Sequence, residues 1–293
     1  MLSLHPAVRT RLPSGVIVRG QIAREKIHEA LCSAWVRTLS EEPTLRRPIF
    51  IVGCPRSGTT IFSQVFATHP WVAEWSEAGR VWDPHFYYDP DADHCWEAER
   101  ANDYDRKRLH ALFEFHRRRE SKPRFVNKHP RNSVRVDYLD RIFPDAYFVH
   151  VVRDGRAVVN SLLNITRRER GRQEIPFGGF CKPPNWRARL REDPAEQAAL
   201  QWDDIVRYVL RRRSGLDLEG RYCEVRYEDM CRAPKATFAR VFAAVGLPDA
   251  QEHMGGIPER LQDRGGASAL SEHDKQVVTR IQRPLLHELG YET

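Results

Sequence analysis

The side chains best placed to do chemistry lie in "PIFIVGCPRSGTTIFSQVFATH", residues 48–69. Gly53 and Gly58 keep the spacing of a nucleoside-triphosphate loop, G-x-x-x-x-G-K-[ST], but Thr59 stands where the lysine belongs and Thr60 follows. The positive charge has moved inside the loop, to Arg56. The missing lysine would reach β- and γ-phosphates, with the next hydroxyl on Mg²⁺, so this loop is a poor triphosphate site. A single terminal phosphate suits it better. The N–H groups of Ser57, Gly58, Thr59 and Thr60 would hold it at a helix start, and Arg56 would add charge-assisted hydrogen bonds of about 1.5–3 kcal/mol each. A cysteine-phosphatase loop needs an arginine six positions after Cys54, and Thr60 is there. A degenerate kinase loop and a purely structural turn stay open on these residues alone.

Such a loop needs a buried strand to deliver it and a helix to receive it. "PIFIVGC" (48–54) is a short continuous apolar run, as a buried parallel strand should be, and "TTIFSQVFATH" follows as a helix. Further strands are expected at 124–130, 146–154 and 221–230, and helices at 133–143, 155–165, 194–213, 233–246 and 271–290, the last with a kink at Pro284. Residues 94–119 read as a long polar helix and 171–194 as a loop rich in Pro, Gly and charge. Residues 21–40 read as an amphipathic helix with Ile22, Ile27, Leu31, Ala34 and Trp35 on its apolar face. "HPWVAEWSEAGRVW" (69–82) is expected to cross the mouth of the cleft. The alternation predicts an α/β chain: a three-layer, P-loop-like fold with a central, mostly parallel sheet flanked by helices. One domain over 1–293 is expected, with a helical cap at 1–46 and insertions at 81–123 and 164–194.

Composition narrows the class. With 41% hydrophobic and 30% charged residues, the 293-residue chain can bury a core, and no run approaches the ~18 apolar residues of a membrane span. The first residues, "MLSLHPAVRTRLPSG", lack an apolar stretch of signal-peptide length, so a soluble cytoplasmic protein is expected. The six cysteines form neither a C-x-x-C pair nor a zinc spacing, and no metal site or disulfide framework is indicated. Net charge is +7, with arginine runs at 117–119, 167–172 and 211–213. These are expected to be solvated helix faces, or else a field that attracts an anionic ligand. No zinc-finger, RNP or basic-zipper pattern supports nucleic-acid binding.

"PIFIVGCPRSGTT" resembles the 5′-phosphosulfate loop of sulfotransferases that use 3′-phosphoadenosine-5′-phosphosulfate (PAPS), and its R-S-G-T-T is most similar to the tyrosylprotein and carbohydrate-type branch. The resemblance runs from about residue 47 to the C-terminus. It implies a second grip, on the 3′-phosphate, which "FVHVVRDGRAVVNSLL" (148–163) would supply through Arg153 and Ser161; alternatively Arg153 simply pairs with Asp154. It implies that Lys128, in "FVNKHP", joins Arg56 in stabilising the transferring group, and that Tyr227, in "RYEDM", touches the nucleotide. Glu77 matches the branch's catalytic base, and Arg80 lies one position from its acceptor-site arginine. Glu74 is the second choice of base, followed by His69, His85 and His129. One departure is evident. Family members often carry Gly-x-x-x-x-Trp before the last helix, but "QDRGGASALSEHDK" (262–275) has no Trp, leaving Arg264 or Ser268 as possible substitutes.

The implied activity is sulfuryl transfer from PAPS, with PAP as product, to a hydroxyl or amine. Positioned cations and N–H groups would stabilise the charge that builds on the sulfuryl and bridging oxygens, with no metal required. The acceptor side would draw on Arg80 and on the aromatic residues Trp82, His85, Phe86, Tyr87, Tyr88, Trp96, Phe177, Phe180 and Trp186, which suit an aromatic, glycosyl or lipid-like acceptor or else pack a lid; a small-molecule, glycan or peptide acceptor is expected. A kinase-like phosphotransferase and a non-catalytic nucleotide-binding module are the rival readings.

Overall fold

The computed structural model describes residues 14–77, 79–83, 89, 91–169, 175–216, 218–248, 254–255, 257–263 and 270–291. Five strands, β1 (Ile49–Val52), β2 (Val72–Ser76), β3 (Arg124–Lys128), β4 (Tyr147–Val152) and β5 (Tyr222–Arg226), form one sheet in the order β2-β3-β1-β4-β5. Every neighbouring pair is parallel. The chain runs from β1 to the β2 edge, back to β3, and then across β1 to β4. The loop after β1 therefore sits where the strand order reverses, the place where α/β sheets open a crevice at their carboxyl ends.

Alternation along β1 sets the layers. Ile49 and Ile51 join Phe62, Phe66, Val149, Val225 and Phe238 on one face. Phe50 and Val52 join Phe113, Phe125 and Phe148 on the other. All four β1 residues are buried, so helices must cover both faces. The first face is covered by α2 (Thr59–Phe66) and α9 (Pro234–Ala244), where the Phe62 and Phe238 rings stack at 5.0 Å. The second is covered by α4 (Asp103–Arg119) and α5 (Val136–Ile142), with Phe113 stacked on Phe125 at 4.6 Å. A third cluster, around Trp202, joins α6 (Gly155–Arg168), α7 (Pro194–Gly215) and α10 (Glu272–Glu288) beneath Val152. Further α-helices among the described residues include α1 (Ser14–Val36), the short α3 (Gly79–Trp82) and α8 (Tyr227–Arg232). Among the described residues no helix is long and apolar enough to cross a membrane.

Several elements differ from expectation. The stretch expected to cross the cleft mouth begins as β2, an edge strand whose sequence, VAEWS, is too polar to announce itself. The helix expected from residue 94 starts only at Asp103, where the Asn102 side chain accepts the Asp105 N–H at 2.9 Å. In α1 the expected apolar face is not the buried one: Ile27 and Leu31 are exposed, and Glu25, His28 and Cys32 turn inward. The surface that α1 meets is aromatic and polar. His28 sits edge-on to Trp75 at 4.4 Å and to Phe115 at 5.0 Å, and it bonds the Leu112 carbonyl at 3.4 Å. Those contacts select a semi-polar stripe over the most hydrophobic one.

Candidate active site

The motif residues emerge in order along one edge of the sheet. Glu77 follows β2, Lys128 ends β3, the 53–58 loop follows β1, Arg153 follows β4 and Tyr227 follows β5. Neighbouring strands lie about 4.8 Å apart. Strand order alone thus lays out a carboxylate, an ammonium, an anion loop, a guanidinium and an aromatic ring in that sequence.

The loop is held from both ends. Gly53 and Gly58 adopt φ of 154° and 89°, and Arg56 has φ 74° despite its side chain. A Cβ on Gly58 would overlap the Tyr227 ring, and one on Gly53 would overlap the Val151 carbonyl, so both glycines are needed for close approach. Ser133 Oγ accepts the Gly53 N–H and donates to the Gly53 carbonyl, each at 2.8 Å. The first bond of the helical ladder, Phe62 N–H to the Gly58 carbonyl at 3.0 Å, leaves the preceding amides of Thr59 and Thr60 at the helix start to meet an anion. Ser57 behaves differently from expectation. Its N–H closes the turn onto the Cys54 carbonyl at 3.0 Å and its side chain is fully buried, so it shapes the loop rather than facing a ligand.

The second motif joins the first. Arg56 Nε donates to Ser161 Oγ at 3.2 Å, and Arg153 Nη1 donates to the Arg56 carbonyl at 3.2 Å. The Arg153 guanidinium lies 4.1 Å from the centre of the Tyr227 ring and pairs with Asp263 at 3.1 Å. Asp154 does not pair with Arg153: it caps α6 and binds Arg156 at 2.7 Å. Arg56, Gly58, Thr59, Thr60, Arg153, Ser161 and Tyr227 line one cavity of about 480 Å³, closed on one side by Leu261 and Gln262. Two cations, helix-start amides and hydroxyls around a space of nucleotide size fit an adenosine bisphosphate. The larger cavity, about 670 Å³ between α6, residues 175–192 and α7, contains none of these groups and is lined mostly by apolar side chains such as Leu162, Phe177 and Leu190.

On the other side of β1, Lys128 is 2% exposed and its ammonium pairs with the carboxylate of Glu77, which is 55% exposed. Three further features fix Glu77. Its N–H bonds the Lys128 carbonyl at 2.9 Å, its carbonyl accepts from Gln21 Nε2 at 2.8 Å, and its φ of 52° turns the chain away from the strand. The other candidate bases are engaged or remote. Glu74 accepts from Ser63 at 2.8 Å and from Ser76, and His69 bonds the Pro248 carbonyl at 2.8 Å beside Phe242. His129 is wholly buried, its Nδ1 accepting the Arg131 N–H at 3.1 Å. Burial first, then the neighbouring Arg135, Arg131 and Lys128, push its pKa well down.

Trp82 is corrected by the structure. It is 3% exposed and packs against Phe50 and Phe113 in the core. The Arg80 side chain, His85, Phe86, Tyr87, Tyr88, Arg264 and Ser268 lie outside the described residues. Trp96, Phe177 and Trp186 are buried packing residues. Trp96 and Trp186 belong to a tie between residues 91–96 and 181–187: Trp186 Nε1 donates to Asp93 at 2.6 Å, Lys182 Nζ to the Ala92 carbonyl at 2.6 Å, and the Lys182 N–H to His94 Nδ1 at 2.9 Å. Arg135, wholly buried, bonds the His94 carbonyl at 3.1 Å and covers the Trp96 ring at 3.4 Å, but its Nη1 and Nη2 make no hydrogen bond. Burial lowers its pKa to about 9. Sequence reasoning missed Ser133, Gln21 and Asp263. Each acts across a long chain separation, and no local pattern marks it.

Comparison with known proteins places the chain among sulfotransferases. An omega-hydroxy-β-dihydromenaquinone-9 sulfotransferase of Mycobacterium bovis is 24% identical over 174 residues, 57% of this chain and 41% of that protein. The chain thus matches about two fifths of the mycobacterial relative's length. A putative protein-tyrosine sulfotransferase of Caenorhabditis briggsae is 22% identical over 70% of this chain and 68% of its own length. The crystal structure of sulfotransferase STF9 from Mycobacterium avium superposes with a TM-score of 0.53 at 18% identity, covering 89% of this chain and 82% of that one. The sulfotransferase domain of the Synechococcus PCC 7002 olefin synthase gives 0.52 at 18% identity, covering 87% and 100%. These two establish the shared fold. Residues 48–252, from the start of β1 past the end of α9, match the Sulfotransferase family, and the chain belongs to that family.

Proposed function

We propose that this chain transfers a sulfuryl group from PAPS to a hydroxyl or amine of an acceptor by in-line displacement, with Glu77 as base. One observation carries the reading: the hydrogen bonds from Arg56 to Ser161 and from Arg153 to the Arg56 carbonyl fuse two motifs a hundred residues apart into one two-anion grip. When bound, PAPS supplies the activated sulfuryl group and the 5′-phosphate that departs. Arg56 and the Thr59 and Thr60 amides hold that 5′-phosphate, and Arg153, Ser161 and Tyr227 hold the 3′-phosphate end. Lys128 directs an ammonium toward the charge that builds at transfer, an effect typically worth 10²–10³-fold in this class of interaction. Its pairing with Glu77 keeps the carboxylate oriented to take the acceptor's proton.

Thermal-shift measurements with PAP, ATP–Mg²⁺ and GTP–Mg²⁺, followed by PAPS turnover over an acceptor library, test the reading. PAP is expected to stabilise the protein and turnover to follow. Stabilisation by ATP–Mg²⁺ without PAP would favour phosphoryl transfer, and PAP binding without turnover on any acceptor would favour a binding module.

A further inference from the structure

Arg153 already has an anion. Its Nη2 donates to Asp263 Oδ1 at 3.1 Å, its Nη1 is taken by the Arg56 carbonyl, and the Tyr227 ring covers one face of the guanidinium. The arginine side chain is 6% exposed and the aspartate 52%, so the carboxylate closes the open side of a guanidinium that is otherwise enclosed. Asp263 is not on a free strand of chain. Leu261, two residues earlier, donates its N–H to the Cys231 carbonyl at 2.9 Å, and Leu261 and Gln262 form a wall of the nucleotide cavity. The aspartate is thus carried to the 3′-phosphate position by the segment that borders the nucleotide.

A phosphate and a carboxylate cannot share this guanidinium without strong like-charge repulsion, and a phosphate on arginine seeks the two-pronged geometry that Asp263 interrupts. We infer that Asp263 is an exchangeable counter-ion. It holds and neutralises Arg153 before the nucleotide arrives, is displaced by the 3′-phosphate, and retakes the guanidinium as PAP departs. This inference rests on the assignment of Arg153 to the 3′-phosphate. Its consequence is a grip that is set in advance yet weak enough to release product. A buried guanidinium with no carboxylate would be costly in the nucleotide-free protein. A permanent phosphate-only partner would slow PAP release, a step that limits turnover in many enzymes. Asp263 acts through Arg153 and is a positioning residue.

Binding of PAP and of AMP, which lacks the 3′-phosphate, to the wild type, Asp263→Asn and Asp263→Glu separates the possibilities. Calorimetry gives the affinities and stopped-flow displacement the off-rates. In Asp263→Asn, PAP should bind about fivefold more tightly, the equivalent of one half-exposed ion pair, through a slower off-rate, while AMP affinity stays the same. Asp263→Glu should return PAP affinity toward the wild-type value. An unchanged or weakened PAP affinity in Asp263→Asn would overturn the exchange. So would equal tightening of PAP and AMP, which would mean only a general change of field. If PAP fails to bind the wild type, the PAPS reading falls and this inference with it. If PAP binds both proteins alike, only Asp263 loses its role.

Discussion

β1 separates two flanks that are built in different ways. On the β4–β5 side, Arg153, Ser161 and Tyr227 lie on adjoining elements and reach the loop through direct bonds. Their cations are balanced locally, Arg153 by Asp263 and Arg156 by Asp154. On the β3–β2 side, Lys128 and Glu77 depend on α1 through Gln21, and their surroundings on residues 91–96 and 181–187 tied together. Here Arg135 is buried with two nitrogens that make no hydrogen bond, in the field of Arg131 and of Asp83. The difference teaches that the loop and the Arg153 turn join directly, one strand-to-helix turn against the next. The Glu77 side is a longer-range assembly, which brings α1 and residues 91–96 and 181–187 to the strand ends.

The sharpest way to break this division is to remove the carboxylate on the acceptor side. Glu77→Gln keeps the shape and should lower kcat by tenfold or more, within the roughly 10²–10⁴-fold range of general base catalysis. PAP affinity should stay within about threefold, because two strands lie between Glu77 and Arg153. Steady-state turnover beside PAP calorimetry gives both numbers. Unchanged turnover would remove Glu77 as the base, and a matching loss of PAP affinity would mean that the two flanks are coupled.

The converse test acts on the donor side. Arg153→Ala removes a charged hydrogen-bond donor set and should weaken PAP binding by about tenfold or more, in line with ~1.5–3 kcal/mol for a charged hydrogen bond. The loss should be smaller for AMP, and the Glu77–Lys128 pair should be undisturbed. Equal PAP affinity by calorimetry would sink the 3′-phosphate assignment.

The same division explains what could be read from the sequence. The loop and Arg153–Ser161 are spacings of a few residues set by one strand and one helix, and periodicity alone places their backbone. β1, β3, β4 and β5 are apolar enough to stand out, whereas β2 is a polar edge strand and was legible only once β3 lay beside it. Trp82 shows the limit on the acceptor side. An indole near a cleft reads as a ligand contact, yet the four-residue helix α3 turns it between Phe50 and Phe113. Ser133 and Asp263 reach their partners 80 and 110 residues away, and Gln21 reaches Glu77 across 56 residues, so only the folded sheet edge reveals them. The apolar face of α1 was misjudged for a related reason. Which stripe of a helix is buried depends on the surface it meets, and that surface was itself a tertiary product.

The smallest expected effect concerns acid, and it should fall unevenly on the two flanks. His94 and His129 both use Nδ1 as an acceptor for a backbone N–H, from Lys182 and Arg131 respectively, so each must be neutral with its proton on Nε2. Burial is the main force lowering both pKa values. Arg131 and Arg135 add to it for both, joined by Lys182 at His94 and by Lys128 at His129. Each folded-state pKa lies below the ordinary value near 6.5. Stability is therefore complete above about pH 6.5 and declines as pH falls, because the unfolded chain takes up a proton that the folded one refuses. The slope approaches ~1.4 kcal/mol per pH unit for each histidine. His150 on β4, lowered to about 3 mainly by burial, adds to the global decline, but its Nδ1 partner is the Tyr222 hydroxyl rather than a backbone amide. Hydrogen exchange between pH 7 and 5, corrected for intrinsic rates, should therefore show the Arg131 and Lys182 amides losing protection a few-fold before the loop amides of Gly53 and Ser57. Uniform loss across both flanks would show that the histidines act only on global unfolding and would erase the electrostatic asymmetry between the two sides of β1.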